Sequence, residues 1–346
     1  MIPQEKSAAV SQGLLEAFGV TEFEDIRRLT EGSSTQVFRI VVRGCPYLLK
    51  FILRTNDPGR KIACLKAAAE AGIAPPVWYT SIQDRICITD FVETVPFPVA
   101  DALYRMPAAL RTLHSLTPFP RVADQLNTTC TFLMNQGAAV DGFIRTFQAS
   151  NMLHKDESEE LLTRYRQMAS VYPRHDPDLV SSHNDLFKPD NILFDGQRVW
   201  LVDWEAAFLN DRYADLAAVA NLVVSNDAEE SRFLQEYFGQ PPDPYQLARF
   251  FLMQQLAHMF YAMVFLLQGS TGKPPDASEP APEFGEFHRR FWAGEVSLKD
   301  KQTKADYGRV HWERLLRNMR GARFDEALEI VAERNSGLGD GSAIGR

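Results

Sequence analysis

His183-Asn184-Asp185-Leu186-Phe187-Lys188-Pro189-Asp190-Asn191 is followed, twelve residues beyond Asn191, by the first acid of Val202-Asp203-Trp204-Glu205. Between them lie Ile192-Leu193-Phe194 and Val199-Trp200-Leu201-Val202, two runs of strand formers. The pattern reads as a polar loop and then a hairpin ending in Asp203. It brings two carboxylates and an amide to one place. Such a set suits phosphoryl transfer from a nucleotide: one carboxylate meets an acceptor hydroxyl, and an amide with a second carboxylate holds magnesium at the phosphates. Asp185 is the candidate catalytic base, orienting the hydroxyl and taking its proton late. Asn191 and Asp203 are the candidate metal ligands, because magnesium prefers hard oxygen donors. Read singly, either Asp is also an ordinary turn residue. The register of all three carries the chemical reading.

His183-x-Asp185…Asn191 with Asp203-Trp204-Glu205 resembles the aminoglycoside phosphotransferase and choline/ethanolamine kinase superfamily, over roughly residues 25–265. Protein kinases usually carry Arg after the motif His and Asp-Phe-Gly at the metal loop. Here stand Asn184 and Asp203-Trp204-Glu205, closer to the small-molecule kinases. The later Asn210-Asp211-Arg212-Tyr213-Ala214-Asp215-Leu216-Ala217 is similar to the choline kinase branch. The resemblance implies an α+β, two-lobed protein-kinase-like fold, with a small N-terminal β-rich lobe and a larger, mainly helical C-terminal lobe. It implies ATP between the lobes and magnesium-dependent transfer of the γ-phosphate to a hydroxyl of a small molecule, an amino-alcohol of choline or ethanolamine type. His183 would brace the loop rather than catalyse. In one respect the chain departs from the pattern. The superfamily usually has four residues between its Asp and Asn, and residues 186–190 make five. Either the loop bulges or Asp190 shares the ligand role; Asn191 is preferred because it leads directly into Ile192-Leu193-Phe194. A rival within the class is an aminoglycoside kinase. A rival outside it is a nucleotide-binding pseudokinase or scaffold, which the joint retention of Lys50, Asp185, Asn191 and Asp203 opposes.

Upstream, strands are predicted over 23–30, 36–42 and 47–53, then a helix with Asp57 as N-cap and Pro58 at its first position, then strands over 76–79 and 85–91. Lys50 stands mid-strand among apolar neighbours, a costly place for an ammonium without an anion. A nucleotide phosphate supplies that anion; an edge-strand charge is the plainer alternative. The acid that usually anchors this Lys from the next helix is missing, since Arg60, Lys61 and Ile62 occupy its place and Glu70 lies at the far end. Gly32, Ser33, Ser34 and Thr35 form the candidate phosphate loop, with Gly32 allowing close backbone approach. Alone, the same residues describe a plain hairpin turn. The backbone of Asp90, Phe91 and Val92 is the candidate adenine contact. The predicted organisation is a nucleotide lobe over 1–92, a connector over 93–98, a catalytic and substrate lobe over 99–334 and a flexible tail over 335–346.

The 346 residues are 45 % apolar and 24 % charged, an ordinary globular composition. A net charge of −8 argues against nucleic-acid binding and suits a cationic partner, though a plain acidic surface explains it equally well. The four cysteines have no short pairing, which fits a reducing, cytoplasmic setting. The apolar run over 250–267 is broken by Gln254, Gln255 and His258, so a buried helix rather than a membrane span is expected. Glu205 is a candidate acceptor contact, with a salt bridge to Arg212 as the alternative. Tyr261, Trp292 and Trp312 are candidates to line a pocket for a cation, since aromatic faces attract ammonium groups, although a core role is the more ordinary reading of each. Residues 250–268 lack the tryptophans of choline kinases, so a pocket unlike the standard choline site is expected.

Overall fold

A computed structural model of the chain describes residues 2–31, 35–53, 57–120, 155–173, 179–269 and 281–340. Outside these lie Gly32, Ser33 and Ser34, residues 129–148, whose length and spacing predict a helix, most of residues 269–282, whose Gly, Ser and Pro content predicts a loop, and residues 341–346.

The N-terminal lobe is one antiparallel sheet and two helices. Strands β1 (Asp25–Glu31), β2 (Thr35–Val42), β3 (Cys45–Ile52), β4 (Val77–Ser81) and β5 (Ile86–Asp90) run in the spatial order β1-β2-β3-β5-β4. Alternation decides which face each residue takes. Phe38, Ile40, Val42, Leu49, Phe51, Ile86 and Ile88 face helix α1 (Ser7–Phe18), whose Val10 and Leu14 complete a small core. Leu49 and Phe51 point into that core, so Lys50 between them points to the opposite face, towards the second lobe.

Helix α2 (Pro58–Glu70) starts as its sequence requires: the Asp57 carboxylate accepts the Arg60 N–H at 3.1 Å and Pro58 needs no donor. Its small residues Cys64 and Ala68, with Ile73 and Ala74 after it, join the core of the C-terminal lobe rather than that of the sheet. The connector is fixed to the C-terminal lobe as well. Val95 N donates to Phe194 O at 2.9 Å, and the Phe97 ring stacks on Phe194 with centroids 4.5 Å apart.

The C-terminal lobe contains α3 (Val99–His114), α4 (Lys155–Val171), β6 (Val180–Ser182), β7 (Ile192–Phe194), β8 (Val199–Leu201), β9 (Phe208–Asn210), α5 (Arg212–Val223), α6 (Asp227–Phe238), α7 (Pro244–Gly269), α8 (Phe284–Trp292), α9 (Lys301–Met319) and α10 (Ala322–Asp340). Strand β6 pairs with β9, and β7 with β8. Helix α10 therefore continues through 335–340, which the sequence pattern assigns to the tail. Helix α7 is long and apolar enough to cross a membrane, yet most of it is buried inside this lobe. Its packing on α9 is backbone to backbone. A Cβ at Gly308 would meet Leu266 N at 2.7 Å, and one at Gly269 would meet Ala305 N at 2.5 Å, so glycine is required at both crossings.

Candidate active site

The loop after β6 is shaped from beneath by one buried carboxylate. Asp215, on the first turn of α5, accepts His183 N at 2.8 Å and Asn184 N at 2.7 Å, and lies 3.3 Å from His114 Nε2. Burial pushes its carboxyl up, but the hydrogen bond and charge of His114, with the His183 contacts, outweigh this and hold it below the usual range. Asn184 takes a left-handed conformation, φ 68°, which Asn tolerates. Its side-chain amide donates to Ala206 O at 3.1 Å, and its oxygen accepts Asn210 Nδ2 at 2.8 Å. Loop, metal-loop candidate and β9 are thereby tied together. His183 braces the same junction: Nε2 donates to Val202 O at 2.9 Å, which leaves Nδ1 to accept the Asp185 N–H at 3.3 Å.

Asp185 stands at the surface of this frame with its side chain 14 % exposed. Its Oδ2 accepts Lys188 Nζ at 2.8 Å and Asn191 Nδ2 at 3.0 Å. Its Oδ1 has no hydrogen bond among the described residues and is open to a hydroxyl. Burial raises the Asp185 pKa, with Lys188 opposing, so the carboxylate is a better proton acceptor than a free aspartate.

The fifth residue of the enlarged loop is absorbed in a 3-10 turn, Pro189–Asn191, closed by Asn191 N on Lys188 O at 3.0 Å. Asp190 is exposed on that turn, whereas Asn191 is buried and donates to the Asp185 backbone oxygen at 2.8 Å. Asn191 O in turn accepts Val202 N at 3.0 Å, which sets Asn191 beside the residue preceding Asp203.

Asp203 also has a left-handed φ, 67°, and its side chain is 36 % exposed. Lys50 Nζ donates to its Oδ1 at 2.7 Å. The Lys50 ammonium holds the Asp203 carboxyl down at about 2. Desolvation alone would lower the Lys50 pKa, but Asp203 and then Glu205 raise it, so both partners are charged. Asn191 Oδ1 and Asp203 Oδ2 make no hydrogen bond among the described residues. They are two hard oxygens from one amide and one fully ionised carboxylate, a donor set that fits magnesium together with waters and phosphate oxygens.

Glu205 is placed against cations rather than at the open side of Asp185. Its Oε1 is buried without a hydrogen-bond partner among the described residues and meets Lys50 Nζ at 3.4 Å; its Oε2 lies 3.8 Å from Lys61 Nζ. Arg60 fastens the same turn from α2, donating to Ala207 O and, at 3.4 Å, to Glu205 O. Glu205 bridges two lysines, and no ion pair between it and Arg212 is present among the described residues. Helix α2 supplies no acid to Lys50; Glu70 ends it, and the acid comes from the far lobe instead.

Of the remaining candidates, Thr35 is buried at the start of β2, opposite Ile52. Asp90 closes β5, with its N–H on Pro76 O at 2.9 Å and its carboxylate accepting the Trp78 indole N–H at 2.6 Å. Val92 follows in the connector with no backbone hydrogen bond among the described residues, and the Phe91 ring lies 5.3 Å from the Arg39 guanidinium carbon. Tyr261 and Trp312 are only 5 % and 8 % exposed. Tyr261 packs on Phe187 and Tyr307, and both Tyr261 and Trp312 belong to the core of the C-terminal lobe. Trp292 donates its indole N–H to Phe97 O at 2.7 Å, pinning α8 to the connector. Residues the sequence reading missed are Lys188, Lys61, Arg60 and Asp215. Lys188 and Asp215 both lie inside quoted motifs, and Arg60 and Lys61 stand where a helix acid is expected, but none of the four was given a role.

A model of the phosphotransferase enzyme family matches residues 25–250, more than half of the chain. A search among curated proteins returns no match. Among solved structures, a choline/ethanolamine kinase family protein from Mesorhizobium loti aligns with TM-score 0.65 and 18 % identity, over 94 % of this chain and 99 % of that one. Choline kinase from Cryptosporidium parvum aligns with TM-score 0.63 and 10 % identity, over 95 % and 98 %. The aminoglycoside phosphotransferase APH(2'')-IIa in complex with gentamicin aligns with TM-score 0.53 and 14 % identity, over 88 % and 99 %. At these identities the likeness is one of fold: a two-lobed, kinase-like architecture with a small sheet lobe and a larger helical lobe. With its site loop and metal-loop candidate both inside the matched residues, the chain belongs to the phosphotransferase enzyme family.

Proposed function

We propose that the chain transfers the γ-phosphoryl group of ATP to a hydroxyl of a small amino-alcohol, with magnesium. The observation that carries this reading is the pairing of an open carboxylate oxygen on Asp185 with two open metal-suited oxygens on Asn191 and Asp203, all in one braced frame. Asn191 and Asp203 would hold the magnesium, which when bound neutralises charge on the phosphate oxygens. Lys50 offers its ammonium to the phosphates from the sheet, while Asp203 and Glu205 keep it charged. Asp185 Oδ1 receives the acceptor hydroxyl and takes its proton as the new oxygen–phosphorus bond forms and the bond from the γ-phosphorus to the bridging oxygen breaks, that oxygen leaving with ADP. Lys188, on the other oxygen of the same carboxylate, brings a positive charge beside the proposed base and can balance negative charge that develops there.

A cationic acceptor is supported by the net charge of −8 and by the fold neighbours, which include choline and ethanolamine kinases and a gentamicin-bound phosphotransferase. Choline, ethanolamine and gentamicin are all cations bearing hydroxyls. The test is an acceptor screen coupled to ADP release, with amino-alcohols, aminoglycosides, neutral sugars and anionic alcohols as its arms. ADP release raised only by sugars or anionic alcohols overturns the cationic acceptor. ATP binding with no release for any arm favours the pseudokinase.

A further inference from the structure

A cavity of about 310 Å³ opens between the C-terminal end of α5 and helices α7 and α9. Its walls include Asn221, Gln254, His258, Arg314 and Arg317, and none of Lys50, Asp185, Asn191 or Asp203 lines it. A layer of rings separates it from the catalytic loop: Phe187 on Tyr261 at 4.8 Å, Tyr261 on His311 at 5.1 Å, and His311 on His258 at 5.1 Å.

The charges on the wall do not cancel. Asp227 and Glu230 are both engaged by Arg323. Glu283, the next acid near Arg314, is engaged in capping α8, where it accepts Glu286 N at 2.7 Å. Arg314 and Arg317 have no ion-pair partner among the described residues. The Arg314 guanidinium is held at the wall by the Phe284 ring, 4.8 Å from its centroid. Asn221, on the face of α5 that lines the same cavity, carries a buried Nδ2 with no hydrogen-bond partner among the described residues. Buried donors left unmade are rare and costly. A concave seat with two unpaired guanidiniums and an orphan amide donor matches a ligand that only accepts.

We propose that this cavity binds a small oxyanion, a phosphate ester or a carboxylate, through Arg314, Arg317 and the Asn221 amide. Its volume lies at the lower end of the range for small-molecule pockets. The site is independent of the phosphotransfer reading.

The test is calorimetric titration of the full chain with inorganic phosphate and, separately, with citrate, under a saturating non-hydrolysable ATP analogue that blocks the nucleotide site. One of the two anions should bind, and which one distinguishes a phosphate from a carboxylate ligand. Arg314→Gln with Arg317→Gln should weaken that binding by roughly tenfold or more, while Asp203→Asn leaves it unchanged. If the double variant fails to fold, Arg317→Gln alone, at an exposed position, should still weaken binding severalfold. Absence of binding by either anion, or binding lost in Asp203→Asn but kept in the arginine variants, overturns the proposal.

Discussion

Lys50 Nζ lies 3.4 Å from Glu205 Oε1, a carboxylate contributed by the C-terminal lobe and not by the helix that follows Lys50. Helix α2 presents Arg60 and Lys61 at that place, and like charges there would repel Lys50. Glu205 resolves the conflict by lying between Lys50 and Lys61, while Arg60 holds the Glu205 backbone. Nucleotide affinity in this chain should therefore depend on Glu205. Glu205→Gln is expected to lower kcat/KM for ATP roughly tenfold, about 1.4 kcal/mol of transition-state stabilisation, with the acceptor KM unmoved. Steady-state kinetics with each substrate varied in turn checks this. An effect confined to the acceptor KM would assign Glu205 to the acceptor and leave Lys50 to Asp203 alone.

Asp185→Asn should reduce kcat by roughly 10²–10⁴ while ATP affinity stays within a fewfold of the parent. The amide keeps an acceptor for Lys188 and Asn191, so the loop should hold, but it cannot take the hydroxyl proton. Single-turnover phosphorylation and analogue binding by calorimetry separate the two effects. Near-parental kcat would remove Asp185 from its assigned role.

The enlarged loop gives a sharper comparison. Asn191 is buried against Asp185, and Asp190 is exposed on the 3-10 turn. Asn191→Ala should raise the magnesium concentration needed for half-maximal turnover by roughly tenfold or more, and Asp190→Ala should shift it little. Magnesium titrations of ADP release decide the matter. The reverse order would mean that Asp190, not Asn191, is the ligand.

Much of this frame is legible in local sequence. The alternation in β2 and β3 marks the face that buries Phe38, Ile40, Leu49 and Phe51, and Asp57-Pro58 announces α2. The observed β9 is only three residues long and has no pattern of its own; it exists because β6 pairs with it. The helical pattern in the sequence reads from Asp215, but helix α5 starts at Arg212 because Asp211 caps it by accepting Tyr213 N at 2.8 Å. Helices α6, α8 and α9 begin at Asn226, Glu283 and Asp300 caps that the sequence does display, but their charged compositions blur the apolar period. The partners of Lys50 are illegible for a different reason. Asp203 is 153 positions away along the chain, and only the meeting of the two lobes joins them. Burial of Tyr261 is likewise a tertiary fact, set by the approach of α7 to α9 at Gly269 and Gly308.

Acid should destabilise the C-terminal lobe earlier than carboxylate protonation alone would. His258, His288 and His311 form a buried cluster from α7, α8 and α9, with His258 Nδ1 and His311 Nδ1 2.8 Å apart and His288 Nδ1 donating to Phe284 O at 2.8 Å. Burial, then the charge of Arg314 and the neighbouring imidazoles, pushes His258 and His311 well below the ordinary histidine value. Burial pushes His288 down to about 4, against the opposing hydrogen bond to Phe284. All three are neutral in the fold, while the unfolded chain protonates near pH ~6.5. Between those values the unfolded state binds more protons, so stability rises with pH across the window and is lost as pH falls from ~6.5 towards the folded values. Each histidine contributes up to about 1.4 kcal/mol per pH unit there, and the cluster up to about 4. Urea unfolding midpoints at pH 7, 6 and 5 should fall progressively, and His288→Leu should flatten that slope by roughly a third. Equal midpoints from pH 7 to pH 5 would show that the imidazoles are not held neutral by the fold.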